Sequence, residues 1–304
     1  TQLNEATGGD DTVQSNFAVV VGDMQLENIC DETDLGDNNA DCGNGFFENS
    51  IFDVDQSNTA TGSGDADFTQ NNNIPTLSQI IVAENDCDQS DEQGADGNNF
   101  AFCTNDTILN DIGAITQTND ATGTHVDDIF QDNTGSFSQV MTLNNGCDAT
   151  TFSDSGDNSA ICNNQSEEND IGAVAQTNTA TGNDDVLIDQ DNNVAVSQTL
   201  TANNDCDSTA QNNAQCSKDG AGNFIGDITQ ENIATGDDFA SIIQSNDAVI
   251  DQNVDLLNSC DESGAGINSA SCDNESEPTL FYHNLIGPIS QSNDANGAGN
   301  SEVT

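Results

Sequence analysis

Positive charge is almost missing from this chain. Lys218 is the sole basic residue among 304, set against 54 acidic ones, for a formal charge of −53. So one-sided a balance excludes nucleic acid and anionic membrane as natural partners and points to cations. Histidine is nearly absent too, with only His125 and His283. A Ser/His/Asp centre would rest on one unrepeated residue, and neither zinc nor haem-attachment spacing of Cys and His occurs. Paired carboxylates are too common to mark a glycosidase site. No catalytic constellation emerges, and the chain reads as a non-enzyme. No run is long and apolar enough to span a bilayer, and no signal peptide stands at Thr1. High charge with few apolar residues is also the composition of disorder, but the regularity described next argues against it.

What the chain has is a repeat. Residues Ile112 to Gly123, with the core Gln-x-Asn-x-Ala-x-Gly, return as Ile51 to Gly62, Ile171 to Gly182, Ile225 to Gly236 and Ile286 to Gly297, with a shortened copy at Thr1 to Gly8. The marker glutamines Gln2, Gln56, Gln117, Gln176, Gln230 and Gln291 are 54 to 61 residues apart. Self-similarity on this scale decides the architecture before any local reading. The chain is expected to be a single repeat domain over residues 1–304. Its repeats are 1–50, 51–111, 112–170, 171–224 and 225–285, and 286–304 is a partial sixth.

Ten cysteines fall one pair to a repeat: Cys30 and Cys42, Cys87 and Cys103, Cys147 and Cys162, Cys206 and Cys216, Cys260 and Cys272. An even number at repeated positions reads as disulfides formed in an oxidising compartment. A secreted chain, already freed of its signal peptide, is the expectation. The glutamine position before each first cysteine lies eight residues upstream in every repeat, whereas the loops between cysteines vary from 9 to 15 residues. A scaffold in register with variable surface loops has this pattern.

Alternation gives the local structure. Ile115, Gln117, Asn119 and Ala121 fall on one face of a strand and Thr116, Thr118, Asp120 and Thr122 on the other. After a polar turn, Ile129, Gln131, Asn133, Gly135, Phe137, Gln139, Met141 and Leu143 alternate along a second, longer strand. The second repeat slips by one residue at Pro75, which predicts a bulge. In the first, Gly22 replaces a glutamine. Each repeat therefore reads as strand, acidic turn, long strand and disulfide loop, stacked as an all-β solenoid or β-arch. Buried amides are costly unless satisfied, but identical amides stacked at the ~4.8 Å strand spacing can bond one another. The expected register ladder is Gln56, Asn58, Gln117, Asn119, Gln176, Asn178, Gln230, Asn232, Gln291 and Asn293.

A strand-turn-strand unit with inward Gln, Asn and Ala resembles the repeats of curlin, the curli fibre subunit, and of related cross-β solenoid matrix proteins. Curlin repeats are shorter and lack cysteines, so the eight-residue glutamine spacing seen from Gln131 to Gln139 and the cystine loops are departures. The resemblance implies an extracellular filament of sheath, pilus-like or biofilm-matrix type that polymerises with itself. Thr1, Gln2, Ile286, Ile289 and Gln291 are the expected assembly residues, since similar ends that do not close on each other generate fibres. A segment beginning at Ile286 is a candidate donated strand. The alternative is a Ca²⁺-dependent surface-layer or adhesin solenoid that forms no fibre.

Two acidic columns would arise on stacking. The turns hold Asp127, Asp128, Asp184, Asp185, Asp237 and Asp238, and Asp31, Asp88, Asp148, Asp207 and Asp261 follow the first cysteines. Carboxylates ~5 Å apart repel by roughly 1 kcal/mol in water. Either bound Ca²⁺ or plain hydration relieves this; no cofactor is otherwise required. Sequons at Asn105, Asn164 and Asn274 each lie two residues after a second cysteine, a placement that suggests a glycosylated edge.

Overall fold

A computed structural model describes residues 1–8, 11–34, 38–63, 67–91, 99–124, 128–150, 157–183, 186–209, 211–237, 240–263, 269–273, 283–297 and 302–303. It is all β, with parallel pairing throughout, and the chain climbs as a solenoid whose rungs are the sequence repeats. Three sheets result. The first stacks Gln2–Gly8, Val54–Ser63, Ile115–Thr124, Val174–Asn183, Ile228–Asp237 and Ile289–Gly297. The second stacks the long strands Thr12–Asp34, Phe68–Asp91, Asp128–Thr150, Leu187–Thr209 and Ser241–Ser263, followed by the short Glu302–Val303.

The third sheet was not anticipated. The segments between second cysteine and next isoleucine, read above only as spacing, are return strands: Asn99–Asn105 with Ile108–Ile112, Asp157–Ile171 and Gln211–Ile225 stack upon one another. Their signal is alternation about the cysteine, as in Ala101, Cys103 and Asn105 and then Ile108, Asn110 and Ile112, all buried. Each long strand faces a return strand with its C-terminal half and a short strand with its N-terminal half.

The bend from third sheet to first is made by a file of glycines. Gly113, Gly172, Gly226 and Gly287 donate their N–H groups to Ile51, Ile112, Ile171 and Ile225 of the preceding rung. A Cβ at Gly172 would sit 2.9 Å from the carbonyl carbon of Gly113 and 3.0 Å from Ala114 N. Glycine is required where one corner packs on the preceding one, whereas Phe52 occupies the first corner with its side chain exposed.

Register follows the sequence repeat residue for residue. Gln56, Gln117, Gln176, Gln230 and Gln291 align, as do Asn58, Asn119, Asn178, Asn232 and Asn293. The irregularity expected at Pro75 is present: pairing shifts between Gly135 and Phe137 on one side and between Phe17 and Val19 on the other. Gly22 does oppose Gln79, and Asn49 turns its amide onto the Gly22 carbonyl at 3.1 Å.

The interior is layered across the rung. Four apolar clusters are built around Ala60 with Ile129, Ile115 with Leu77, Ile108 with Met141, and the cystines. Between them run columns of glutamine and asparagine. Apolar burial supplies the driving force and the amide columns fix the register, because a one-residue slip would bring Thr and Asp inside.

Candidate functional site

The amide columns form continuous hydrogen-bonded ladders. In the first sheet, Gln56 Nε2 donates to Gln2 Oε1 at 2.8 Å, Gln117 to Gln56 at 2.9 Å, Gln176 to Gln117 at 2.8 Å, Gln230 to Gln176 at 2.9 Å and Gln291 to Gln230 at 2.7 Å. The asparagine ladder two residues on runs the other way. Asn4 Nδ2 donates to Asn58 Oδ1 at 3.0 Å, Asn58 to Asn119 at 2.9 Å, Asn119 to Asn178 at 3.0 Å, Asn178 to Asn232 at 3.0 Å and Asn232 to Asn293 at 3.1 Å. The amide N–H groups also reach main-chain carbonyls of the facing strand, as from Gln117 to Thr134 and from Asn119 to Asp132. Inner ladder residues are thus buried and satisfied.

Further ladders lie on the second and third sheets. Gln139 donates to Gln79 at 2.9 Å and Gln198 to Gln139 at 2.8 Å. Asn85 donates to Asn145 at 2.8 Å, and Asn110 to Asn169 at 2.9 Å. Sequence reasoning missed those on the third sheet. It also misread one. Asn105 and Asn164 are fully buried, Asn105 donates to Asn164 at 2.8 Å, and both donate to the facing column. A glycan cannot be accommodated at either in the folded chain, which corrects the expectation drawn from their sequons. Their constant distance from the cysteine is the spacing of inward positions on a strand, so a ladder explains it. Asn274 lies outside the described residues.

Cystines form the layer beyond. Cys30–Cys42, Cys87–Cys103, Cys147–Cys162 and Cys206–Cys216 are bonded, with Cα separations of 6.1–6.5 Å. Cys260 is disulfide-bonded as well, and the register aligns Cys272 with Cys216. Each bridge joins the second sheet to the third across the interior.

The acidic positions divide. Asp31, Asp88, Asp148, Asp207 and Asp261 do align along the second sheet. Burial, then Asp88, Asp207, Asp205 and Asp86, pushes the Asp148 carboxyl up to about 6. Burial likewise raises Asp132 and Asp170, each with an added carboxylate neighbour. The turn positions fit their expected grouping less well. Asp128 pairs with Leu187 on the second sheet, whereas Asp237 pairs with Asn183 on the first. Asp127, Asp184, Asp185 and Asp238 lie outside the described residues. Among the described residues, the metal-type side chains that converge within 4.8 Å are cystine sulfurs, already committed to disulfides.

Ile286 and Ile289 occupy the positions of Ile112 and Ile115. The inner pair is fully buried, while Ile286 and Ile289 are 40% and 50% exposed. Gln2–Gly8 and Ile289–Gly297 each pair along one edge only among the described residues, so Gln2 and Gln291 stand at opposite ends of one ladder. Thr1 precedes the first of these strands and is exposed.

These features define a disulfide-stapled parallel β-solenoid with polar amide ladders. No known family, curated protein or solved structure matches the chain.

Proposed function

We propose that the chain is the structural subunit of an extracellular filament, assembled by end-to-end strand stacking. The observation that carries this reading is the polarity of the ladders. At the Gln2 edge the glutamine ladder points donors outward and the asparagine ladder points acceptors outward. At the Gln291 edge the senses are reversed. A head-to-tail contact would therefore let Gln2 donate to Gln291 of the neighbouring subunit while Asn293 of that subunit donates to Asn4. A head-to-head contact would set donor against donor. Burying Ile286 and Ile289 as their inner counterparts are buried would add apolar stabilisation, at ~25 cal/mol per Å² removed from water. Such a contact does not close on itself and propagates. Self-association in curli-like fashion, with the chain as its own partner and no catalytic step, follows from this reading, and the cystines suit the oxidising space outside a cell.

Electron cryo-microscopy of the concentrated protein tests it. Filaments with a ~4.8 Å axial repeat and density continuous between subunits are expected. Monodisperse particles at every concentration would defeat the reading. Parallel grids with a chelator address the Asp148 column: Ca²⁺-dependent particles without filaments would favour a surface-layer or adhesin solenoid instead.

A further inference from the structure

The cystines are not isolated staples. Parallel pairing sets Cys30, Cys87, Cys147, Cys206 and Cys260 in one file on the second sheet. It sets Cys42, Cys103, Cys162, Cys216 and Cys272 in a facing file on the third. Because the solenoid climbs continuously, the second cysteine of a rung lies between the first cysteine of its own rung and that of the next. The sulfurs of Cys30, Cys42 and Cys87 lie within 4.8 Å of one another, and so do those of Cys87, Cys103 and Cys147 and those of Cys162, Cys206 and Cys216. The main chain records the same offset. Sγ of Cys42, Cys103, Cys162 and Cys216 approaches the carbonyl oxygens of Asp86, Gly146, Asp205 and Ser259 at 3.7, 3.1, 3.4 and 3.1 Å. Each of those residues immediately precedes the first cysteine of the next rung. Sulfur therefore has two near neighbours of opposite file, one bonded and one a rung away.

We infer that this column is a thiol–disulfide relay, in which a thiolate formed at one rung passes to the next by exchange with the neighbouring cystine. A low-molecular-weight thiol is the external partner. It enters at an end of the column, since Cys30 and Cys260 are only half-buried while the inner cysteines from Cys42 to Cys216 are at most 2% exposed. With entry at Cys30, attack forms a mixed disulfide there and releases the Cys42 thiolate. That thiolate attacks Cys87 Sγ, so the Cys42–Cys87 bond forms as Cys87–Cys103 breaks, and the electron pair leaves on Cys103. Cys103 then stands before Cys147, and the step repeats. Each exchange makes one disulfide and breaks one, with no net oxidation.

The consequence is a second pairing scheme. Bonds within rungs close the surface loops, whereas bonds such as Cys42–Cys87 and Cys103–Cys147 rivet successive rungs along the stacking axis. Backbone pairing holds the residues in place for either scheme, so the switch requires no change of fold. The scheme is argued for the single chain and needs no filament. The attacking species is the thiolate, so exchange accelerates as pH rises.

The test uses the whole folded protein. Substoichiometric reduced glutathione is added in parallel at pH 7 and pH 8 in native buffer, followed by acid quench, alkylation and peptide mapping without reduction. Cross-rung peptides containing Cys42–Cys87 and Cys103–Cys147, increasing with pH, are expected. Within-rung bonds only would overturn the proposal. Links between distant rungs, such as Cys42–Cys147, would overturn it as well, because they report exchange through unfolded chain. A second arm uses Cys30→Ser, which leaves one odd thiol. The relay predicts loss of label from Cys42 and its appearance at Cys103, Cys162 and Cys216; label held at Cys42 alone refutes it.

Discussion

Replacing Asn119 with alanine tests the ladder mechanism at its most connected point. Asn119 donates to Asn178, Asn133 and the Asp132 carbonyl at 3.0, 3.0 and 3.1 Å, and accepts from Asn58 and Asn72 at 2.9 and 3.0 Å. It is fully buried. Each lost bond costs roughly 0.5–1.5 kcal/mol net, and partners stranded without water cost more. Asn58 and Asn72 keep Asn72 Oδ1 and Asn133 Oδ1 respectively as acceptors in the column, which limits the sum to about 3–5 kcal/mol. Asn4→Ala is the control. Asn4 makes the same kind of bonds, to Asn58, Asn16 and the Ser15 carbonyl at 3.0, 2.9 and 3.2 Å, but at an edge that water reaches, so about 1 kcal/mol or less is expected. Because repeat proteins open locally, the readout is native-state hydrogen exchange of amides in Ile115–Thr124 against those in Gln2–Gly8. A difference between the two variants below about 1 kcal/mol would refute the idea that buried ladder bonds, and not merely strand pairing, hold the register.

Other perturbations separate the remaining contributions. Gly172→Ala drives a Cβ into the backbone of Gly113 and Ala114 and should lower stability by about 1–3 kcal/mol in chemical denaturation, where an unchanged midpoint would show that the corner can yield. Acidification should stabilise. Asp148 titrates at about 6 in the fold against 3.8 ordinarily, so the folded state binds the extra proton between those values and stability rises as pH falls from 7 towards 4. A displacement of that size is worth roughly 3 kcal/mol in a dry site, and screening at this half-exposed one reduces it to about 1–1.5 kcal/mol. Asp148→Asn should flatten the melting temperature across that pH range, and an unaltered slope would assign the effect to other carboxylates.

The sequence by itself determined the rungs. Period-2 alternation and near-identical repeats leave one parallel register that keeps Gln117 over Gln56 and Ile115 over Val54, because any slip by one residue exchanges inside for outside. The cystine pairs and the bulge at Pro75 were legible for the same reason: each is a local feature repeated, or interrupted, at a fixed place. Tertiary structure decided which face of the return strands points inward. Asn105 and Asn164 match a glycosylation signal that is read locally, and only the stacked third sheet places them within a buried ladder. Glu167 is one of many acidic residues until the rungs close around it. The rise of Asp148 and the two near neighbours of each inner sulfur belong to no single repeat: the first comes from burial and from Asp88 and Asp207 stacked on either side, the second from the offset between successive turns of the solenoid.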